Sequence, residues 1–255
     1  MNELRYQNHL SLESFDQETQ ERIAQSTITI FGIGGLGSVC SLYLTNAGVG
    51  KINLVDYDTV DETNLPRQVI YKLNQIGMNK AIAAKKVLSD FNPEVNISAY
   101  DERMMGDNLY NLVNESDLVI DATDNLPSRL QINEACRSSK TKHVIGTAIR
   151  FEGQVIAFDH AKDESPCLNS IYSSMDQSFD DCDGAGVLST VAGTIGILIA
   201  NTALNVIIGN ENYNEIKTVI QSAYDDAVLI DCDEKDFKNK IIDLVKNIEF
   251  SLGRK

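Results

Sequence analysis

The sequence predicts an α/β protein: a mainly parallel, twisted sheet with helices on both faces, extended by additional C-terminal strands and a terminal helix. Three observations predict it. Short β-branched runs alternate with helix-spaced segments through residues 26–150. A glycine-rich turn joins the first run to the first of these helices, and the second run closes on an acid about 20 residues later.

Residues 1–25 read as a polar N-terminal helical arm, with helical spacing over 15–24. Residues 27–31 (TITIF) then form a buried strand. Residues 36–47 form a helix ending at Gly48 as at a C-cap, and 51–56 (KINLVD) form the second strand, which completes a βαβ unit. The alternation goes on with a helix at 79–90, a strand at 95–100, a short helix at 107–114 and a strand at 118–121. A helix over 128–139 and a strand over 143–148 follow. Residues 153–159 read as another strand, and 160–188 as a polar, turn-rich crossover segment of the length that loops reach when they carry function. The last part, 189–255, contains an apolar helix at 189–208, strands at 218–222 and 227–231, and an amphipathic helix at 235–252. The whole is taken as a single domain. Residues 189–208 are apolar enough to raise a membrane span, but Asn201, Asn205 and three threonines favour a buried core helix.

With 255 residues, 43% of them hydrophobic, the chain can bury a full core. Its net charge of −15 argues against nucleic-acid and anionic-membrane partners, which it would repel over most of its surface. An anionic ligand therefore requires a local basic site. No apolar stretch of signal-peptide length opens the sequence, so a cytoplasmic location is expected. The five cysteines, Cys40, Cys136, Cys167, Cys182 and Cys232, are widely spaced with no CxxC pair, which fits free thiols.

Gly32-Ile33-Gly34-Gly35-Leu36-Gly37 fits GxGxxG between a strand and a helix, and Asp56 ends the following strand where a carboxylate binds ribose hydroxyls. Together they predict a Rossmann-like nucleotide-binding core over 26–150. A nicotinamide oxidoreductase would satisfy this pattern alone. The next residues, Tyr57 to Gln68 (YDTVDETNLPRQ), set charged and polar groups past a strand's carboxyl end. Hydride transfer has no need of a cation there, whereas a triphosphate does: Arg67 can grip its oxygens as a planar fork. Lys80 opens the next helix and offers a second positive charge. Asp124, beyond the strand ending at Asp121, suits Mg²⁺, because Asn125 or Ser128 can cap the following helix and leave Asp124 free.

These residues resemble the HesA/MoeB/ThiF family, relatives of ubiquitin-activating enzymes that adenylylate the C-terminal glycine of a ubiquitin-like sulfur carrier. The resemblance spans roughly residues 5–209. It is carried by GIGGLGS (32–38), VDYDTVDETNLPRQ (55–68), GMNKA (77–81), DATDN (121–125) and CDGAGVLSTVAGTIG (182–196). It implies an ATP- and Mg²⁺-dependent adenylyltransferase that acts on a small ubiquitin-like sulfur-carrier protein as a homodimer. Gly34, Gly35, Asp56, Asp58, Asn64, Arg67, Gln68, Lys80 and Asp124 are implied to hold the nucleotide, with Asp124 on the metal. Cys182 is similar in place to a cysteine that links covalently to the carrier in some relatives. Its neighbours Asp181 and Asp183 raise a thiol pKa, so a covalent role and a plain surface thiol both stand.

Two departures from the family pattern bear on function. The opening RYxRQ of the family is Arg5-Tyr6-Gln7-Asn8-His9 here, so Asn8 replaces the arginine that relatives send into the neighbouring subunit's ATP site. The zinc-binding CxxC becomes Cys167-Leu168-Asn169-Ser170 with no second pair, so zinc is not expected. These changes leave room for adenylylation of a peptide or another substrate by a zinc-free relative, or for a non-catalytic family member.

Overall fold

A computed structural model of the chain describes residues 4–162, 168 and 186–210, together with the backbone of two strands at 216–220 and 228–232. The expected terminal helix at 235–252, most of the 160–188 segment, and Cys167 and Cys182 lie outside the described residues, as does the side chain of Cys232.

Six strands form the main sheet. In chain order they are β1 (Thr27–Phe31), β2 (Lys51–Val55), β3 (Asn96–Tyr100), β4 (Leu118–Asp121), β5 (Lys142–Ile149) and β6 (Glu152–Phe158). Their spatial order is β3-β2-β1-β4-β5-β6, parallel throughout except for β6, which runs antiparallel to β5. A separate antiparallel pair, β7 (Ile216–Ile220) and β8 (Val228–Cys232), supplies the two C-terminal strands, shifted by one or two residues from expectation.

Register aligns the strands where it matters. Phe31 pairs with Val55 on one side and with Asp121 on the other, so β1, β2 and β4 end level with one another. The loops that follow them emerge side by side, at the point where the strand order reverses and open sheets form a crevice.

Two helical layers cover the sheet. On one face lie α3 (Gly35–Ala47), α4 (Lys80–Phe91) and α7 (Ser189–Ile208), packed on Ile28, Ile30, Leu54, Leu118 and Ile120, all fully buried. On the other lie α5 (Gly106–Asn114) and α6 (Leu126–Ser139), whose Leu109, Leu112, Ile132 and Ala135 meet Phe31, Val55 and Val119. This alternation along β1 is the period of two that a sheet covered on both faces imposes. Each wholly buried isoleucine or leucine contributes about 1.5–3 kcal/mol of transfer free energy. Helix α6 starts at Leu126, ahead of the expected 128, because Asn125 caps it by accepting from Ser128 N at 3.0 Å and Pro127 fits the first turn. The apolar α7 is long enough to cross a membrane by length and composition. Here one side packs on α3, β5 and β6, and Ile197 stays exposed, so it is buried on one side rather than all round.

The N-terminal arm comprises α1 (Gln7–Leu10), a single turn that periodicity does not reveal, and α2 (Gln17–Gln25). It docks on the sheet's amino edge. Tyr6 Oη accepts from Asn92 Nδ2, Gln20 Nε2 donates to Ala47 O, and Arg5 Nη1 donates to Phe91 O at 3.0 Å.

Beneath α6, His143 on β5 is wholly buried beside His160, with ring centroids 5.9 Å apart, and neither nitrogen of His143 has a hydrogen-bond partner among the described residues. Burial, then the neighbouring His160 and Arg129, push the His143 pKa well below 6.5. Burial brings His160 to about 4. A depressed folded pKa means the unfolded chain binds the extra proton, so this stability is whole above pH 6.5 and is lost as pH falls. His143→Phe is therefore expected to decline less steeply than the wild type below pH 6.5, by up to about 1.4 kcal/mol per pH unit, when urea unfolding is followed across that range. Parallel curves for the two proteins would contradict this.

Candidate active site

The glycine loop takes its shape from two close backbone approaches. Gly32 adopts φ +84°, and a Cβ there would lie 2.7 Å from Ala122 O; a Cβ on Gly37 would lie 1.9 Å from Gly32 O. Only hydrogen at these positions lets the loop fold back against the end of β4. Helix α3 then begins at Gly35 with no side chain capping it, which leaves amide donors of its first turn facing the crevice.

Asp56, just past β2, is 9% exposed and binds this loop directly. Its Oδ2 accepts from Ile33 N at 2.7 Å and its Oδ1 from Asp58 N at 2.9 Å. Burial raises its pKa above the usual carboxylate value, opposed by the Lys80 charge and those two N–H groups. Tyr71 supports the same loop from beneath, with its hydroxyl 2.8 Å from Ile33 O and 3.2 Å from Lys80 O. Burial, reinforced by the charge of Asp56, pushes this phenol's pKa up and keeps it a donor.

Lys80 opens α4 beside Asn79, which caps the helix by accepting from Ile82 N and donates to Asp56 O. Its side chain is only 9% exposed, and its ammonium pairs with Asp58 Oδ2 at 3.0 Å. The sequence gives Lys80 to phosphate alone; the structure adds a resident counter-ion. Arg67 Nη1 donates to Thr63 O at 3.0 Å, which folds the arginine over the short helix at Glu62–Asn64. Asp124 stands at the rim, its Oδ1 accepting from Asn125 Nδ2 at 3.3 Å.

The nucleotide-binding residues expected from the sequence line one cavity of about 1230 Å³. Gly34, Gly35, Asp56, Asp58, Asn64, Arg67, Gln68, Lys80 and Asp124 border it together, at the carboxyl edge of the sheet. Only Cys182 of the expected site lies outside the described residues. Arg5, bonded to Phe91 O at the amino edge, is not among the residues lining the cavity, and Asn8 is exposed on α1. The cavity continues along β5 and β6 past Thr147, Ile149 and Gln154. At its mouth the Arg103 guanidinium carbon lies 5.9 Å from the Tyr57 ring centroid, a cation–π pair with no sequence signal. Arg129, buried beneath Asp124, is also unforeseen. Its signal is a charge one turn before Ile132 on the apolar face of α6.

The model of the ThiF family matches residues 6–233. The chain belongs to the ThiF family. Among curated relatives of this ThiF-family chain, a probable molybdopterin-synthase adenylyltransferase of Porphyra purpurea is 38% identical over 208 residues, covering 80% of this chain and 54% of that protein. The molybdopterin-synthase adenylyltransferase of Escherichia coli (strain K12) is 37% identical over 206 residues, covering 81% and 82%. The chain thus spans about half the length of the first relative and most of the second. Among solved structures, E. coli MccB crystallised with AMPCPP and MccA superposes with TM-score 0.73 at 19% identity over 90% of this chain and 72% of that one. TcdA (CsdL) gives 0.66 at 22% over 82% and 96%. At these identities the superpositions establish the fold.

The close approach at Gly37 has a measurable consequence. Gly37→Ala is expected to destabilise the protein by about 3 kcal/mol in urea unfolding, because the methyl meets backbone rather than a movable side chain. Gly193→Ala, on α7 with nothing within 4 Å of the added carbon, is expected to be neutral or to gain up to about 1 kcal/mol.

Proposed function

We propose that this chain adenylylates the C-terminal carboxylate of a small ubiquitin-like sulfur-carrier protein, using Mg²⁺ and ATP, as a cytoplasmic homodimer. The observation that carries the reading is the convergence of an amide-lined glycine turn with Arg67, Lys80 and Asp124 on a single cavity. The adenylyltransferase names of relatives that this chain matches over four-fifths of its length support it.

The residues present fit a magnesium triphosphate. Gly34 and Gly35 bring bare backbone to the cavity wall; a Cβ on Gly35 would lie 3.2 Å from Ala192 Cβ, so a side chain would crowd the cradle. Asp56, fixed by two N–H groups, retains lone pairs for ribose hydroxyls. Arg67 and Lys80 supply the positive charge that an acidic chain must concentrate locally. Asp124 would hold Mg²⁺, which when bound would offset the negative charge of the phosphates.

In the proposed step, a carboxylate oxygen of the carrier attacks the α-phosphorus of ATP. A new P–O bond forms as the bond to the β-phosphate bridging oxygen breaks, giving acyl-AMP and pyrophosphate. The attacking carboxylate is already ionised near neutral pH, so no general base is required. Catalysis rests on alignment and on charge stabilisation by Arg67 and Lys80. The nearly buried ammonium of Lys80 pairs with Asp58 and would exchange that partner for phosphate when nucleotide arrives. The arm of the cavity along β5 and β6 offers an extended path for the carrier's tail.

Exchange of labelled pyrophosphate into ATP tests the reading. It is expected to require a carrier with an intact C-terminus, and to fall at least about 100-fold in Arg67→Ala and in Asp124→Ala. Exchange indifferent to every carrier offered and to both substitutions would overturn the assignment.

A further inference from the structure

We propose that Arg129 is a positioning residue for this step, one that holds Asp124 in the geometry that takes the divalent cation; the inference rests on the function proposed above. Arg129 is 6% exposed, on the same face of α6 as the buried Ile132, Ala135 and Cys136. A guanidinium does not neutralise itself by losing a proton, so a site that buries one must occupy its donors.

The way those donors are used points to the site. Nη2 donates to Thr123 O and, at 3.2 Å, to Gly146 O. Thr123 immediately precedes Asp124, and Gly146 on β5 lines the cavity. One side chain thereby ties the loop after β4 to the neighbouring strand.

Asp121 is wholly buried at the end of β4, where burial raises its pKa and the nearby Arg129 charge works against that rise. Its Oδ1 accepts from Thr123 N at 2.9 Å and from Thr123 Oγ1 at 2.6 Å. A plain structural ion pair would close Arg129 onto Asp121. Instead Asp121 Oδ2 and Arg129 Nη1 both lack a hydrogen-bond partner among the described residues, and Nη2 is directed at the two carbonyls. Thr123 is in consequence fixed through its N–H, its hydroxyl and its carbonyl. On the other side Asn125 is fixed as the cap of α6, with its amide on Asp124 Oδ1. Asp124 sits between two anchored neighbours, which is how an exposed carboxylate keeps one orientation toward a metal.

The test is calorimetry of ATP binding with and without Mg²⁺, since the ratio of the two Kd values reports the metal's contribution independently of turnover. In Arg129→Met that ratio is expected to fall about tenfold or more, while the Mg²⁺-free Kd stays within about twofold of the wild type. Asp124→Ala and the double variant Asp124→Ala/Arg129→Met should match each other, because Arg129 acts through Asp124. Should the methionine variant not fold, Arg129→Lys keeps the buried charge but puts a shorter, tetrahedral ammonium in place of the planar guanidinium whose Nη2 bonds both carbonyls, and the same drop is expected of it.

An unchanged Mg²⁺ ratio in a folded Arg129 variant would overturn the proposal, as would additive losses in the double variant. A wild-type Mg²⁺ effect that Arg129 controls, found together with no carrier-dependent exchange, would uphold this inference and sink the proposed substrate instead.

Discussion

The carboxylate of Asp56 accepts from Ile33 N in the glycine loop and from Asp58 N in the next loop, and the geometry of the crevice follows from that pair of hydrogen bonds. It locks the turn before α3 to the end of β2 and sets the direction of the chain into residues 57–68. Asp58 N is held by Asp56, Asp58 O accepts from Lys80 N, and Asp58 Oδ2 holds the Lys80 ammonium. One buried carboxylate is thus linked through a single residue to the cation that opens α4. Burial works against its charge, and Lys80 and the two amides work for it. The loop and the cation therefore stabilise the acid that orders them.

Charge explains why such a site is closed and networked rather than an open basic patch. A chain of net charge −15 repels polyanions at long range, so attraction must come from groups close to the ligand in a region of reduced dielectric. Lys80 meets this by being nearly buried with a resident carboxylate beside it. Arg129 meets a different need, since it spends its charge on the carbonyls of Thr123 and Gly146 beneath the rim. Both cations line the cavity and differ in their partners: Lys80 pairs with Asp58, and Arg129 ties the loop that carries Asp124 to β5.

Much of this was legible in the sequence because it depends on local rules. The βαβ alternation, the glycine turn and the acid closing β2 are set by side-chain period and by backbone sterics, and both leave a mark within a short window. Asn125 as cap, with Asp124 free of that task, follows from the same local chemistry. The Lys80–Asp58 pair, the reach of Arg129 across to β5 and the contact of His143 with His160 are not legible. Each joins residues brought together by tertiary packing, which no local pattern encodes. Composition marks helix α7 as a buried core helix but does not tell which side of an apolar helix meets the sheet.

The most direct measurement of the central claim is a crystal structure with magnesium and a non-hydrolysable ATP analogue. The account predicts the triphosphate on the amides of Gly34 and Gly35 and the ribose hydroxyls on Asp56. It also predicts Arg67 on phosphate oxygens, Lys80 moved from Asp58 to phosphate, and the metal on Asp124. A nucleotide bound elsewhere, or one bound here with Lys80 still on Asp58 and no cation at Asp124, would contradict it.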